Sequence, residues 1–167
     1  ISVLEFEREP DAAEVGALGR RTWELADFIV NGLGVKTWPG RYESRVALHR
    51  SCHSRGTATL ESAQALLGSI AGITLVEFGE PEQCCGFGGT FCVKYEEIST
   101  AMLDRKLEHI LAAKPDLLLA GDLGCLINLA GRLRRRGSAI EVRHVAEVLA
   151  DMTDEVPAIG AAEATDE

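Results

Sequence analysis

The sequence has no apolar run near the ~18–20 residues that a membrane-spanning helix requires. It has no charged-then-apolar segment at its start, so no export signal is recognisable. Positive charge is in deficit: 17 Lys and Arg stand against 26 Asp and Glu, for a formal net charge of −9. A chain of that sign has no general attraction for phosphate backbones, so no nucleic acid is expected as a partner; the acidity serves solubility. Aromatic residues are scarce at 5%, yet the apolar fraction of 46% is that of an ordinary globular protein. No Cys-x-x-Cys knuckle occurs, which argues against a zinc ribbon. The stretch Gly86-Phe87-Gly88-Gly89 is not followed by Lys-Ser or Lys-Thr. It is therefore no phosphate-binding P-loop, and it lacks the spacing of a dinucleotide fingerprint. No local motif suggests a Ser-His-Asp arrangement.

What the chain does have is five cysteines in 167 residues, two of them adjacent. The length supports one main domain. The first residue is Ile rather than Met, which points to a processed or truncated start. An odd number of cysteines without an export signal reads as a cytoplasmic protein, where a disulfide framework is a poor explanation. Metal ligation or reactive thiols remain.

The pattern along the chain is one of strands alternating with helices. Residues 1–19 form an aperiodic lead-in. Apolar residues recur at helical spacing over 21–33, before Gly34. Strands are expected at 45–49, 73–78, 117–120 and 140–142, and helices from a cap at Thr57 or Thr59 through Leu67 and over 96–113, 125–135 and 145–152. From Thr153 the chain is acidic and Ala-rich and reads as a disordered tail. The domain thus occupies 20–152. Such alternation predicts a three-layer α/β fold, Rossmann-like or flavodoxin-like, with a parallel sheet covered by helices on both faces. Ligands of these sheets sit beyond the carboxyl ends of the strands. Cys52 follows the first strand, Cys84 and Cys85 the second and Cys125 the third. The pattern therefore brings all four thiols to one edge.

Thiolate sulfur suits iron–sulfur clusters or zinc. Glycines at 86, 88 and 89 allow positive φ and let peptide N–H groups approach a cluster. The adjacent pair with its glycine, the flanking single cysteines and the alternating architecture resemble the cysteine-rich CCG domain family. That family includes heterodisulfide reductases, the iron–sulfur component of glycolate oxidase and lactate-utilisation proteins. The resembling stretches are 20–30, 51–53, 84–91, 121–126 and 131–137. Members usually carry two such domains, and this chain is similar to the C-terminal half of the lactate-utilisation members.

The resemblance implies an electron-transfer subunit of a cytoplasmic oxidoreductase complex that oxidises L-lactate, or a related 2-hydroxy acid, to pyruvate or its counterpart. Its partners would be other subunits of that complex, another iron–sulfur protein among them. The implied cofactor is a [4Fe–4S] cluster on Cys52, Cys84, Cys85 and Cys125; the alternative is a zinc-binding structural or interaction domain using the same thiols. The family pattern ends in two cysteines separated by two residues, and here Asp122 takes the first of those places.

Asp122 is read first as a helix N-cap ahead of Cys125 and second as an oxygen ligand. Cys92 is read as an apolar packed residue rather than a ligand. His53 is read as a hydrogen-bonding neighbour of a ligand, with direct ligation as the alternative. His49 is read as a packed strand residue, and His109 and His144 as solvated or capping residues. The basic run at Arg132, Arg134, Arg135 and Arg136 complements the negative end of its helix or docks an acidic partner. No residue stands out as a catalytic base.

Overall fold

The computed structural model describes residues 10–161. In chain order the elements are α1 (Ala12–Arg21), α2 (Leu25–Asp27), which runs into a π-turn (Phe28–Gly32), β1 (Arg41–Leu48), α3 (Thr59–Ser69), β2 (Ala71–Val76), α4 (Phe91–Lys94), α5 (Glu96–Ala113), β3 (Leu117–Ala120), α6 (Leu123–Arg135), β4 (Glu141–His144) and α7 (Val145–Leu149). The four strands form one sheet in the order β2-β1-β3-β4, and every pairing is parallel.

Alternation along the strands builds two cores. Ala47, Leu118, Ala120 and Val142 face α5 and α6, packing on Leu103, Leu107, Ile110, Leu126 and Leu129. Val46, Leu117 and Leu119 face the other way, onto Ala26, Ile29, Ala63, Leu66, Val148 and Leu149. β3 is therefore buried at all four positions, as an apolar strand covered on both faces must be. The three-layer α/β expectation holds. The strand order places β2 on one side of β1 and β3 on the other. The chain's direction across the sheet reverses there, and the crevice for a ligand opens beyond the ends of β1 and β3.

The single helix expected over 21–33 is instead broken. The Glu24 carboxylate accepts from the N–H groups of Ala26 and Asp27 at 2.8 and 3.1 Å. This starts a new helix shortly after α1 has ended. Only Ala26 and Ile29 of that stretch are buried, while Trp23, Leu25, Phe28 and Leu33 are exposed. Helix α1 lies largely within the expected lead-in; it buries none of its residues, which is why no apolar stripe announces it.

Beyond α7 the chain continues as turns to Ala161. Thr153 is buried, and the Ile159 N–H donates to Val142 O at 2.9 Å. Within the expected tail, Ile159 is thus tied to β4, while residues 154–157 and 160–161 are exposed. Residues 1–9 and 162–167, parts of the expected lead-in and tail, lie outside the described residues. Among the described residues no helix is long and apolar enough to cross a membrane.

Candidate metal centre

Three connections at the carboxyl ends of β1, β2 and β3 supply the site. After β1, the His49 N–H donates to Leu119 O at 2.8 Å, which extends the sheet ladder by one residue and fixes where His49 sits. The chain then turns through Ser51 into a 3-10 turn, Cys52–Ser54. The Ser51 hydroxyl accepts from the His53 N–H at 3.3 Å and donates to Asp122 Oδ2 at 3.4 Å. The β1 turn is thereby tied to the segment that follows β3.

After β2 comes the loop with the adjacent cysteines. Gly86 has φ +80°, and a Cβ there would meet Ser99 O at 2.6 Å. Only glycine fits that position. Side chains from the helices behind it clamp the loop. From α5, the Ser99 hydroxyl donates to Gly86 O at 2.8 Å. The Lys106 ammonium donates to Gln83 O at 2.7 Å and to Pro81 O at 3.2 Å, and it lies 5.3 Å from the centre of the Phe78 ring. From α6, the Asn128 amide donates to Cys85 O at 2.9 Å. After β3, Asp122 Oδ1 accepts from the Cys125 N–H at 3.0 Å. Asp122 is thus the N-cap expected of it, and its cap presents Cys125 in the first turn of α6.

The Sγ atoms of Cys85 and Cys125 are 2.9 Å apart. The donor atoms of His49, Cys85 and Cys125 all lie within 4.8 Å of one another, and all three residues are buried. Cys84 is half-buried and Cys52 exposed, and all five cysteines are free thiols. Cys84 Sγ accepts from the Gly86 N–H at 3.4 Å. The topology brings the four strand-end cysteines to one rim, with an inner pair, Cys85 and Cys125, and an outer pair, Cys52 and Cys84.

The inner pair shares one negative charge. The Cys125 thiol, with help from His49 and the Phe87 N–H, pushes Cys85 down to about 4 against the penalty of burial. Sharing with Cys85 and then burial push Cys125 far up. Burial also pushes Cys84 up, and the neighbouring sulfurs of Cys85 and Cys52 add to the effect. Burial lowers His49 below its usual range, although the Cys85 sulfur beside it works the other way. Lys106, fully buried, is lowered by desolvation to about 8, with the thiolates opposing that shift.

The remaining sequence candidates fall outside the inner group. His53 is exposed, with Nδ1 3.8 Å from Asp122 Oδ2. Cys92 is half-buried rather than packed in a core, and its thiol donates to Gly89 O at 3.1 Å. His144 caps α7, accepting from the Ala146 N–H at 3.1 Å. Arg132 and Arg136 of the basic run both bind Asp104 of α5, at 2.6 and 2.8 Å.

Two residues of the site were not singled out as such by sequence. His49 ends an apolar strand three residues before Cys52, so strand-end position was its available signal. Lys106 sits on the buried stripe of α5, between Leu103 and Ile110, where a charge is out of place.

A cavity of about 310 Å³ adjoins the centre, lined in part by Glu24, Asp27, His49, Ser51, His53 and Asp122. A larger one, of about 610 Å³, includes Tyr42, Lys114, Asp116 and Ile140. It lies among the residues that open β1, β3 and β4, at the opposite end of the sheet from the thiols.

Both ring nitrogens of His49 are buried without a hydrogen-bond partner. Buried polar atoms are normally satisfied. An orphaned imidazole beside two buried sulfurs is a donor set suited to a soft or borderline metal, so the residues fit a metal cofactor.

The same stretch of chain is recognisable in known proteins. A family profile described as a cysteine-rich domain, CCG, matches residues 46–130, a stretch that contains His49, all five cysteines and Lys106. The chain is 46% identical over 134 residues to lactate utilization protein A 2 of Bacillus cereus (strain Q1), which covers 80% of this chain and 55% of that protein. It is 40% identical over 146 residues to lactate utilization protein A of Oceanobacillus iheyensis, covering 86% and 60%. The chain thus spans a little over half the length of these relatives. On the match of profile, spacing and thiol placement, the chain belongs to the CCG cysteine-rich domain family.

Proposed function

We propose that this chain is an iron–sulfur electron-transfer module of a cytoplasmic oxidoreductase complex that oxidises L-lactate to pyruvate. The observation that carries the reading is the meeting of Cys85 and Cys125 at 2.9 Å on the rim where Cys52 and Cys84 also lie. The names of the relatives, lactate utilization protein A, supply the substrate. Cys52, Cys84, Cys85 and Cys125 would hold a [4Fe–4S] cluster, which when bound supplies one-electron transfer.

The chain's own residues would tune that centre. Peptide N–H groups of Gly86 and Phe87 aim at the sulfurs of Cys84 and Cys85, and the buried Lys106 ammonium offsets thiolate charge from behind. Both favour the more negative, reduced state. Burial of the inner pair limits access of water.

Chemistry on the hydroxy acid is assigned to partner subunits, one of them another iron–sulfur protein. The cavity beside the centre carries the carboxylates of Glu24, Asp27 and Asp122, and such a wall repels a carboxylate substrate. The test is absorption and electron paramagnetic resonance of anaerobically purified protein. A brown protein that bleaches on reduction and gains a paramagnetic signal supports the proposal. A colourless protein with stoichiometric zinc moves the assignment to a zinc-binding structural domain.

A further inference from the structure

We propose that His49 is a direct metal ligand of this centre: in the cluster-free chain one ring nitrogen joins the Sγ atoms of Cys85 and Cys125 to make a buried nitrogen–sulfur–sulfur site for a single borderline divalent metal such as iron(II), cobalt(II) or zinc, so that this ion and the [4Fe–4S] cluster occupy the inner sulfurs as alternatives. The inference rests on the metal-centre reading above and adds a ligand outside the cysteine set.

Three observations carry it. The three donor atoms lie within 4.8 Å of one another on buried residues. Donors around one tetrahedral ion at metal–donor distances of about 2.0–2.3 Å stand about 3.3–3.8 Å apart, so the three reach one ion by a shift of about 1 Å, the sulfurs opening from 2.9 Å and the imidazole closing in. The His49 residue is 3% exposed, and neither of its ring nitrogens has a hydrogen-bond partner. An imidazole serving only as core would leave two polar atoms desolvated with no hydrogen bond in return, the Cys85 sulfur beside it being a weak partner, and buried polar groups are rarely left so. Its backbone N–H is already used by Leu119 O, so the ladder fixes the residue at the crevice and leaves the ring free to bind. The charge also balances: two thiolates cancel a divalent ion, and a neutral imidazole adds a donor without adding charge.

The competing explanation is that His49 fills space. Cobalt(II) titration of the reduced, metal-free chain separates the two. Wild-type protein is expected to bind one cobalt with thiolate charge-transfer bands and intense tetrahedral d–d bands. His49→Phe, which keeps the apolar volume, is expected to bind at least tenfold more weakly with altered d–d bands. His49→Cys is expected to restore affinity with stronger charge transfer. Unchanged affinity and bands in His49→Phe overturn the proposal.

Cys85→Ser supplies the second arm. If it weakens binding while His49→Phe does not, His49 alone is wrong and the thiol centre stands. If neither variant affects binding, or if wild type binds no cobalt, the metal-centre reading falls as well. Should His49→Phe fail to fold, X-ray absorption on zinc-loaded wild type decides. A nitrogen shell at about 2.0–2.1 Å supports the proposal, and a shell of sulfur alone overturns it.

Discussion

Cys85 and Cys125 lie forty positions apart in the chain, yet their Sγ atoms stand 2.9 Å from each other. The crossover from β2 through α5 to β3 accounts for it, because parallel strands deliver their carboxyl ends to the same rim. Two thiols at that distance cannot both ionise freely, so without metal the pair shares one charge. A cation is what allows both to ionise.

The ligand assignment separates two cysteines seven residues apart. Cys85→Ser is expected to abolish bound iron, and Cys92→Ser, whose thiol donates to Gly89 O, to retain it. Iron assay of both variants after anaerobic purification checks this. Equal loss in the two would remove Cys92 from its peripheral place.

Gly86→Ala tests the loop's geometry. The added Cβ meets Ser99 O at 2.6 Å in a residue with φ +80°, so a loss on the order of 2–3 kcal/mol is expected. Gly89→Ala, also at positive φ but with open space around it, should cost about 1 kcal/mol. Urea unfolding of the two variants gives the comparison, and equal losses would contradict the close approach.

Asp122 is expected to act through its cap rather than through metal. Asp122→Asn keeps an acceptor for the Cys125 N–H and should keep both stability and bound metal. Asp122→Ala should lose about 1 kcal/mol. Loss of metal in the Asn variant, with the fold intact by circular dichroism, would make Asp122 a ligand instead.

Lys106 gives a pH signature. Burial pushes it down to about 8, from about 10.4 in an unfolded chain. Between those values the native protein has released a proton that the unfolded chain still holds, so this residue makes stability rise with pH across that window. Below about pH 8 the buried charge is a standing cost. The stability difference between wild type and Lys106→Met, measured by urea unfolding of metal-free protein, should therefore shift in favour of wild type by on the order of 2–3 kcal/mol from about pH 7.5 to about pH 10.5. A difference that stays flat with pH would mean that Lys106 is solvated.

The sequence was most legible where one period runs long. Helix α5 has the expected bounds, Glu96–Ala113, because Leu103, Leu107 and Ile110 recur at helical spacing on its buried face, although Ile98 at its start is exposed. β3 was legible as an unbroken apolar run, and Asp122 as a cap from its place three residues before Cys125. What pattern could not show was how side chains divide at the site. Adjacent Cys84 and Cys85 look equivalent in sequence, yet one is half-buried and the other 2% exposed. His49 and Lys106 gain their meaning only from partners far along the chain. The break at Glu24 was hidden because its carboxylate competes locally with a helical pattern that runs straight through it.

The most direct test is the amount of iron and acid-labile sulfide per chain in anaerobically purified wild-type protein. The account predicts the complement of one [4Fe–4S] cluster, lost together with the paramagnetic signal in Cys85→Ser. Stoichiometric zinc without sulfide, or no bound metal at all, would contradict it.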